Sequence, residues 1–183
     1  MTAMISVSPG NSPRMCYINS GPSSVITNTV TETVFDQIFT YPSQSQRSVQ
    51  PNILVRLKAY GIYSTGLLNL TLTLRARWGG IAGAILCSSG VLALAPSAAN
   101  AGWSFDLALL IQAIGISGAL EGQGYGSFSA GLLSILPAHM PNASTFIIDT
   151  TSASDLVLTA QWGTAAAANQ IQLRTCVVEV DGA

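Results

Sequence analysis

Leu72-Thr73-Leu74-Arg75-Ala76-Arg77-Trp78-Gly79 and Leu156-Val157-Leu158-Thr159-Ala160-Gln161-Trp162-Gly163 share one pattern, Leu-x-Leu-x-Ala-x-Trp-Gly. In each copy an apolar residue fills every second position, and on an extended chain side chains two apart point the same way. The alternation predicts two β-strands with Leu72, Leu74, Trp78, Leu156, Leu158 and Trp162 turned into a core. In the first copy Thr73, Arg75 and Arg77 take the other face, which predicts a strand wet on one side. The closing glycines are places to turn, because glycine tolerates positive φ without steric cost. In a chain this rich in Ala and Leu such a match does not require duplication. Both copies read as strands that run into turns.

The same period extends outward. Trp103, Phe105, Leu107, Leu109 and Ile111 share one parity, and Ile171, Leu173 and Val177 oppose Gln170, Gln172 and Arg174. Ile53–Tyr63 and Gly66–Trp78 read as strands joined at Ser64-Thr65-Gly66, and Ile81–Cys87 returns from Gly79-Gly80 as a hairpin. Val25–Thr40 carries Thr- and Val-rich runs anchored by Val34, Phe35, Ile38 and Phe39. About eight to ten strands at spacings of roughly 8–14 residues predict an all-β protein, an antiparallel β-sandwich or jelly roll over residues 25–183. No long amphipathic helix is visible, and Leu132–Met140 reads as a short helical turn before Pro141. Residues 1–24 are rich in Ser, Pro, Asn and Gly and form the predicted extended N-terminal arm. Met4, Ile5, Arg14, Met15, Tyr17 and Ile18 are its candidate contacts with a neighbour.

Composition restricts function. Of 183 residues only 8% are charged, seven basic and eight acidic, for a net charge of −1. Ordinary soluble domains carry about 25%. Nucleic-acid binding is therefore not expected, since phosphate contact needs clustered Lys and Arg, and Lys58 is the only lysine. With 49% apolar residues, the surface is either a coat of Ser, Thr, Asn and Gln or is covered by copies of the chain or by a larger assembly. The second reading predicts a homo-oligomer. No residue from Trp78 through Phe105 is charged, a length that could span a bilayer. Gly79, Gly80, Gly83, Gly90 and Pro96 break it into short β-like runs, so no membrane span is expected. Met1–Ser8 has no basic start and no long apolar core, so no secretion signal is read there.

Candidate chemistry is sparse. Cys16, Cys87 and Cys176 are widely spaced, and with the single His139 they offer no metal-ligand pattern; free or buried thiols of a reducing compartment are expected. Ser134, His139 and Asp149 make a triad only on paper. Gly122-Gln123-Gly124-Tyr125-Gly126 lacks the context of a phosphate cradle and predicts strands that approach closely or bend. Asp149 and Asp155 flank a Ser/Thr turn, where Asp caps backbone N–H groups. Trp78, Trp103 and Trp162 could stack on sugars, but their parity places them in the core. No catalytic residue, cofactor or metal is expected.

The stretch from Asp155 to Leu173, with Leu158-Thr159-Ala160-Gln161-Trp162-Gly163 followed by Thr164, four alanines, Asn169 and a returning strand, resembles small virion proteins of tailed bacteriophages. The Thr-rich residues 27–34, Leu70-Thr71-Leu72-Thr73-Leu74-Arg75 with Gly79-Gly80, and Asn100-Ala101-Gly102-Trp103 are similar too. The resemblance spans roughly residues 25–180 and leaves the first 24 outside it. It implies a jelly-roll cement or decoration protein, trimeric, on the outside of the major capsid shell and made in the host bacterial cytoplasm. It carries no catalytic residues. Two other readings are a tail-fibre or baseplate module that binds host glycans and a polysaccharide hydrolase, which would need two carboxylates about 5–10 Å apart in a cleft.

Overall fold

A computed structural model of the chain describes residues 3–7, 14–19, 21–36, 39–42, 51–68, 70–130, 134–142 and 144–181, with side chains from Tyr17 onward. Ile38 and Leu132, singled out above, lie outside them. All the regular structure among the described residues is β. The strands are β1 (Ala3–Val7), β2 (Arg14–Ile18), β3 (Ile26–Thr27), β4 (Thr33–Val34), β5 (Phe39–Tyr41), β6 (Ile53–Ser64), β7 (Thr71–Trp78) and β8 (Ala84–Ser88). They continue as β9 (Leu92–Ala93), β10 (Ala101–Ala113), β11 (Gly118–Ser129), β12 (Ile135–Met140), β13 (Phe146–Ile148), β14 (Ser154–Trp162) and β15 (Gln170–Asp181).

The larger sheet runs β1-β2-β15-β6-β10-β11-β12, with β3 also on β15 and β13 also on β11. The smaller runs β4-β14-β7-β8, with β5 also on β14 and β9 on β7. All pairs are antiparallel. β2 and β3 pair with successive parts of β15, β4 and β5 with β14, and β8 and β9 with β7, so each couple acts as one interrupted strand. Counted that way, eight strand positions are divided between the sheets in the orders 1-8-3-6 and 2-7-4-5, which is a jelly roll. Strands β11 to β13 are an insertion between the sixth and seventh positions that widens the larger sheet.

The core lies between the sheets. Alternation along β10 buries Trp103, Phe105, Leu107, Leu109 and Ile111, and β6 buries Ile53, Val55, Leu57, Ala59 and Tyr63 against them. Leu72, Leu74, Trp78, Leu156, Leu158 and Trp162 close the core from the smaller sheet. On β11 the inward positions are Gly122, Gly124 and Gly126. A Cβ at Gly122 would press on Leu109 Cδ2, and one at Gly124 on Cys87 Sγ. The inner surface of this strand is therefore backbone, and side chains of both sheets fill the space a Cβ would take, the close approach that the alternate glycines predicted.

Several expectations change. Ile135–Met140 is a strand, not a helical turn; it pairs with β11 from Gly124 to Ser129. The face of β7 that carries Thr73, Arg75 and Arg77 is not wet, because Glu32 reaches across it to both arginines: Thr73 is buried and the arginines are partly covered. Gly79 and Gly80 do turn the chain with φ of 93° and 76°. Gly163 serves differently, since a Cβ there would overlap the Thr71 hydroxyl. The N-terminal segment supplies β1 and β2 at the edge of the larger sheet.

Candidate assembly surface

Strand register gathers three connections at one end of the sandwich. Tyr63 pairs with Ala101 and with Ile171, while Leu72 pairs with Leu92 and with Trp162. The loops 65–70, 94–100 and 163–169 therefore meet there. Thr65 N–H donates to Ala98 O at 3.0 Å, Ser97 N–H to Gly66 O at 2.7 Å, and Gly66 N–H to Asn169 Oδ1 at 3.0 Å. The buried Asn169 also donates from Nδ2 to Thr164 O. These bonds fix the loops against one another before anything docks. None of the three carries a charged residue, and they present Leu67 and Leu68 at 76% and 78% exposure among Ala99, Ala165, Ala167 and Ala168.

The outer face of the smaller sheet is closed instead. Glu32 accepts from Arg77 Nε at 2.7 Å and Nη2 at 2.8 Å, lies 3.0 Å from Arg75 Nη1, and takes the Thr159 hydroxyl at 2.6 Å. Gln161 accepts from Arg75 Nη1 and donates to Val30 O. The Arg77 hydrogen bonds, foremost, hold the Glu32 carboxyl below its usual value, against partial burial that pushes the other way. A charge cluster so fully paired is a clamp that fixes the 28–34 segment.

Other singled-out residues are dispersed. His139 is exposed and packs edge-on to Tyr125, with ring centroids 5.3 Å apart. Ser134 is also exposed. Asp149 accepts from Thr151 N–H at 2.8 Å, the predicted turn cap, whereas Asp155 accepts the Thr40 hydroxyl at 2.7 Å. Among the described residues no three His, Cys, Asp or Glu side chains are grouped to hold a metal ion. Cys87 and Cys176 are buried free thiols, and burial pushes both up to about 12. Trp78, Trp103 and Trp162 are buried, and Trp103 and Trp162 donate from Nε1 to main-chain carbonyls. Among the described residues no helix is long and apolar enough to cross a membrane.

Of the arm residues, Met4 pairs with Tyr17 and Ile5 with Cys16, while Arg14, Met15 and Ile18 pair with Asp181, Val180 and Val177 of β15. The Tyr17 ring is buried against Phe39, and Ile18 is 44% exposed. The sequence reading missed Leu67, Leu68 and Glu32. Leu67-Leu68 had merged into the strand that follows, and Glu32 lies 45 positions from Arg77.

Neither a known protein family nor a curated protein matches this chain in sequence. Similar solved structures include a protein of unknown function from Shewanella oneidensis MR-1, with 12% identity, 99% of this chain and 75% of that one covered, and a TM-score of 0.45. Another is the CBM2 module of the evolved Dit of Lactobacillus casei BL23 phage J-1, with 10% identity, coverage of 97% and 82%, and a TM-score of 0.33. A third is infectious bursal disease virus, Gt strain, with 8% identity, coverage of 99% and 33%, and a TM-score of 0.27. At these values the assignment of the fold rests on strand order and register alone.

Proposed function

We propose that this chain is a structural protein of a tailed-phage virion, a cement protein that binds the outside of the major capsid shell as a homotrimer and performs no catalysis. The observation that carries the reading is the uncharged loop end with Leu67 and Leu68 three-quarters exposed. Covering such a surface desolvates few polar groups and gains about 25 cal/mol for each Å² of apolar area. Loops already tied by hydrogen bonds lose little freedom on docking, so more of that gain survives as affinity. The motifs from Asp155 to Leu173 point to tailed-phage virions, and the jelly-roll strand order suits a cement protein. Buried thiols with no disulfide between them fit a protein made in the reducing host cytoplasm.

Sedimentation velocity at micromolar concentration tests the assembly. A trimer is expected for the wild type and a monomer for Leu67→Asp with Leu68→Asp, with the melting temperature unchanged because both side chains lie outside the core. A wild-type monomer, or a variant that still forms trimers, overturns this role for the loop end. Cryo-electron microscopy of the particle tests placement, and density for the chain on a tail rather than the shell would reject the cement assignment.

A further inference from the structure

The insertion that widens the larger sheet also leaves a gap in it. β12 pairs with Gly124–Ser129 of β11 and β13 with Gly118–Leu120, so the edge of β11 at Glu121–Gln123 has neither beside it. The strand stops at Met140 because Pro141 follows. Asn142 and Ser144 then lie over the outer face of the sheet, and Ser144 N–H donates to Asn142 Oδ1 at 3.0 Å. A cavity of about 360 Å³ opens between this connection and the outer face of the sheet. Its lining includes Leu54, Ala108 and Leu110 on neighbouring strands and Glu121, Gln123, Asn142 and Ser144 around them. Register brings these together: Leu110 stands between Leu54 and Glu121, and Ala108 beside Gln123.

One polar atom of the lining lacks what it needs. Asn142 Nδ2 is buried and has no hydrogen-bond partner. A buried amide donor left unmade carries a desolvation cost that an acceptor would remove. Among the described residues of the lining Glu121 is the only charged one, and it accepts the Thr145 hydroxyl at 3.1 Å through Oε1. A carboxylate beside an amide donor suits a group that both gives and takes a hydrogen bond, and a hydroxyl is such a group. The three aliphatic side chains suit a face of C–H bonds. Tyr125 follows Gln123 on the same face of β11, about 7 Å further along the strand, and is 44% exposed. The edge-on contact with His139 braces its ring.

We propose that this cavity binds one ring of a neutral glycan, with the next ring resting on Tyr125. Asn142 Nδ2 donates to a ring hydroxyl, Glu121 accepts from one, and the amide of Gln123 and hydroxyl of Ser144 read neighbouring positions. Leu54, Ala108 and Leu110 hold the apolar face of the sugar. A volume of about 360 Å³ lies at the small end of ligand sites and admits a single pyranose, not a chain. Glu121 disfavours acidic sugars. The site is independent of trimerisation and of where in a particle the protein stands.

A printed array of neutral and acidic glycans, probed with the full chain, tests this. Binding confined to neutral glycans is expected. Asn142→Leu should weaken it about tenfold, the scale of one lost hydrogen bond. Tyr125→Ala should weaken oligosaccharides more than monosaccharides in a titration of the glycans that bind. If Asn142→Leu lowers the melting temperature, Gln123→Ala on the exposed rim carries the test, with the same expected loss. No binding to any glycan, a preference for acidic ones, or binding undiminished by Asn142→Leu and Gln123→Ala overturns the proposal.

Discussion

Trp162 stands directly across from Leu72 in the ladder between β14 and β7, and Trp78 stands across from Leu156. The two copies of Leu-x-Leu-x-Ala-x-Trp are therefore each other's partners, running in opposite directions. Between the ends, Leu74 faces Ala160 and Ala76 faces Leu158. Each large side chain meets a smaller one, so a single pattern read both ways fills the layer without crowding.

Trp162 is the keystone of that pairing, 1% exposed and with Nε1–H donating to Ile26 O at 3.1 Å. Trp162→Ala removes the packing and leaves that carbonyl without its donor. The expected cost is about 3–5 kcal/mol, measured by urea unfolding. A variant within about 1 kcal/mol of wild type would show a site able to collapse around the gap.

Gly61 is held by close contact instead of φ. A Cβ there would overlap Gln172 O and come within 2.5 Å of Trp103 Nε1, beside the bulge where β15 shifts register between Leu173 and Thr175. Gly61→Ala should cost about 1–3 kcal/mol, at the upper end because main chain blocks one side. Fluorescence of Trp103 should shift to the red. Gly102→Ala, with nothing within 4 Å of the new methyl, is the matched control and should melt close to wild type.

Glu32 makes stability depend on acid. Its carboxyl is depressed in the folded protein, so its contribution is complete above the unfolded value, 4.5, and is lost as pH falls through the depressed value. Melting temperatures from pH 6 down to pH 3 should fall for the wild type. Glu32→Gln should start lower at pH 6 and fall less steeply. Parallel curves would remove Glu32 from the acid response.

Cys87 and Cys176 should be inert to alkylation while the protein is folded, since burial pushes both thiols up to about 12 and shields them. In a Cys16→Ser background, iodoacetamide at pH 8 should label neither until urea unfolds the chain. Rapid labelling of the native protein, read by mass spectrometry, would show that the sandwich opens locally.

The strands were legible because burial on one face of a sheet imposes a period of two, and Trp103 to Ile111 carries it unbroken. The glycine run at 122–126 was legible for the same reason. Pairings across the fold were not: nothing near Glu32 announces Arg75 and Arg77, and so the covered face of β7 read as wet. Leu132–Met140 read as a helical turn before Pro141, yet Pro137 lies within a strand and Pro141 follows its end. The cavity is not legible in the sequence because Asn142 and Ser144 look like any turn. What distinguishes them is a gap between two partners of β11, which only the folded register creates.

Pro137 has a consequence for how copies can add to one another. β12 is the last strand on its side of the larger sheet, and a proline is tolerated in a strand where its missing N–H points away from the ladder. Its outer rim thus lacks a donor at mid-strand and is a poor template for a further strand. The opposite rim, β1, contains no proline. Two unlike rims that fitted each other would add copies head to tail, closing as a ring where the rotation allows and otherwise running on as a fibre. With one rim blunted, strand addition can occur only between like rims, which ends at two copies.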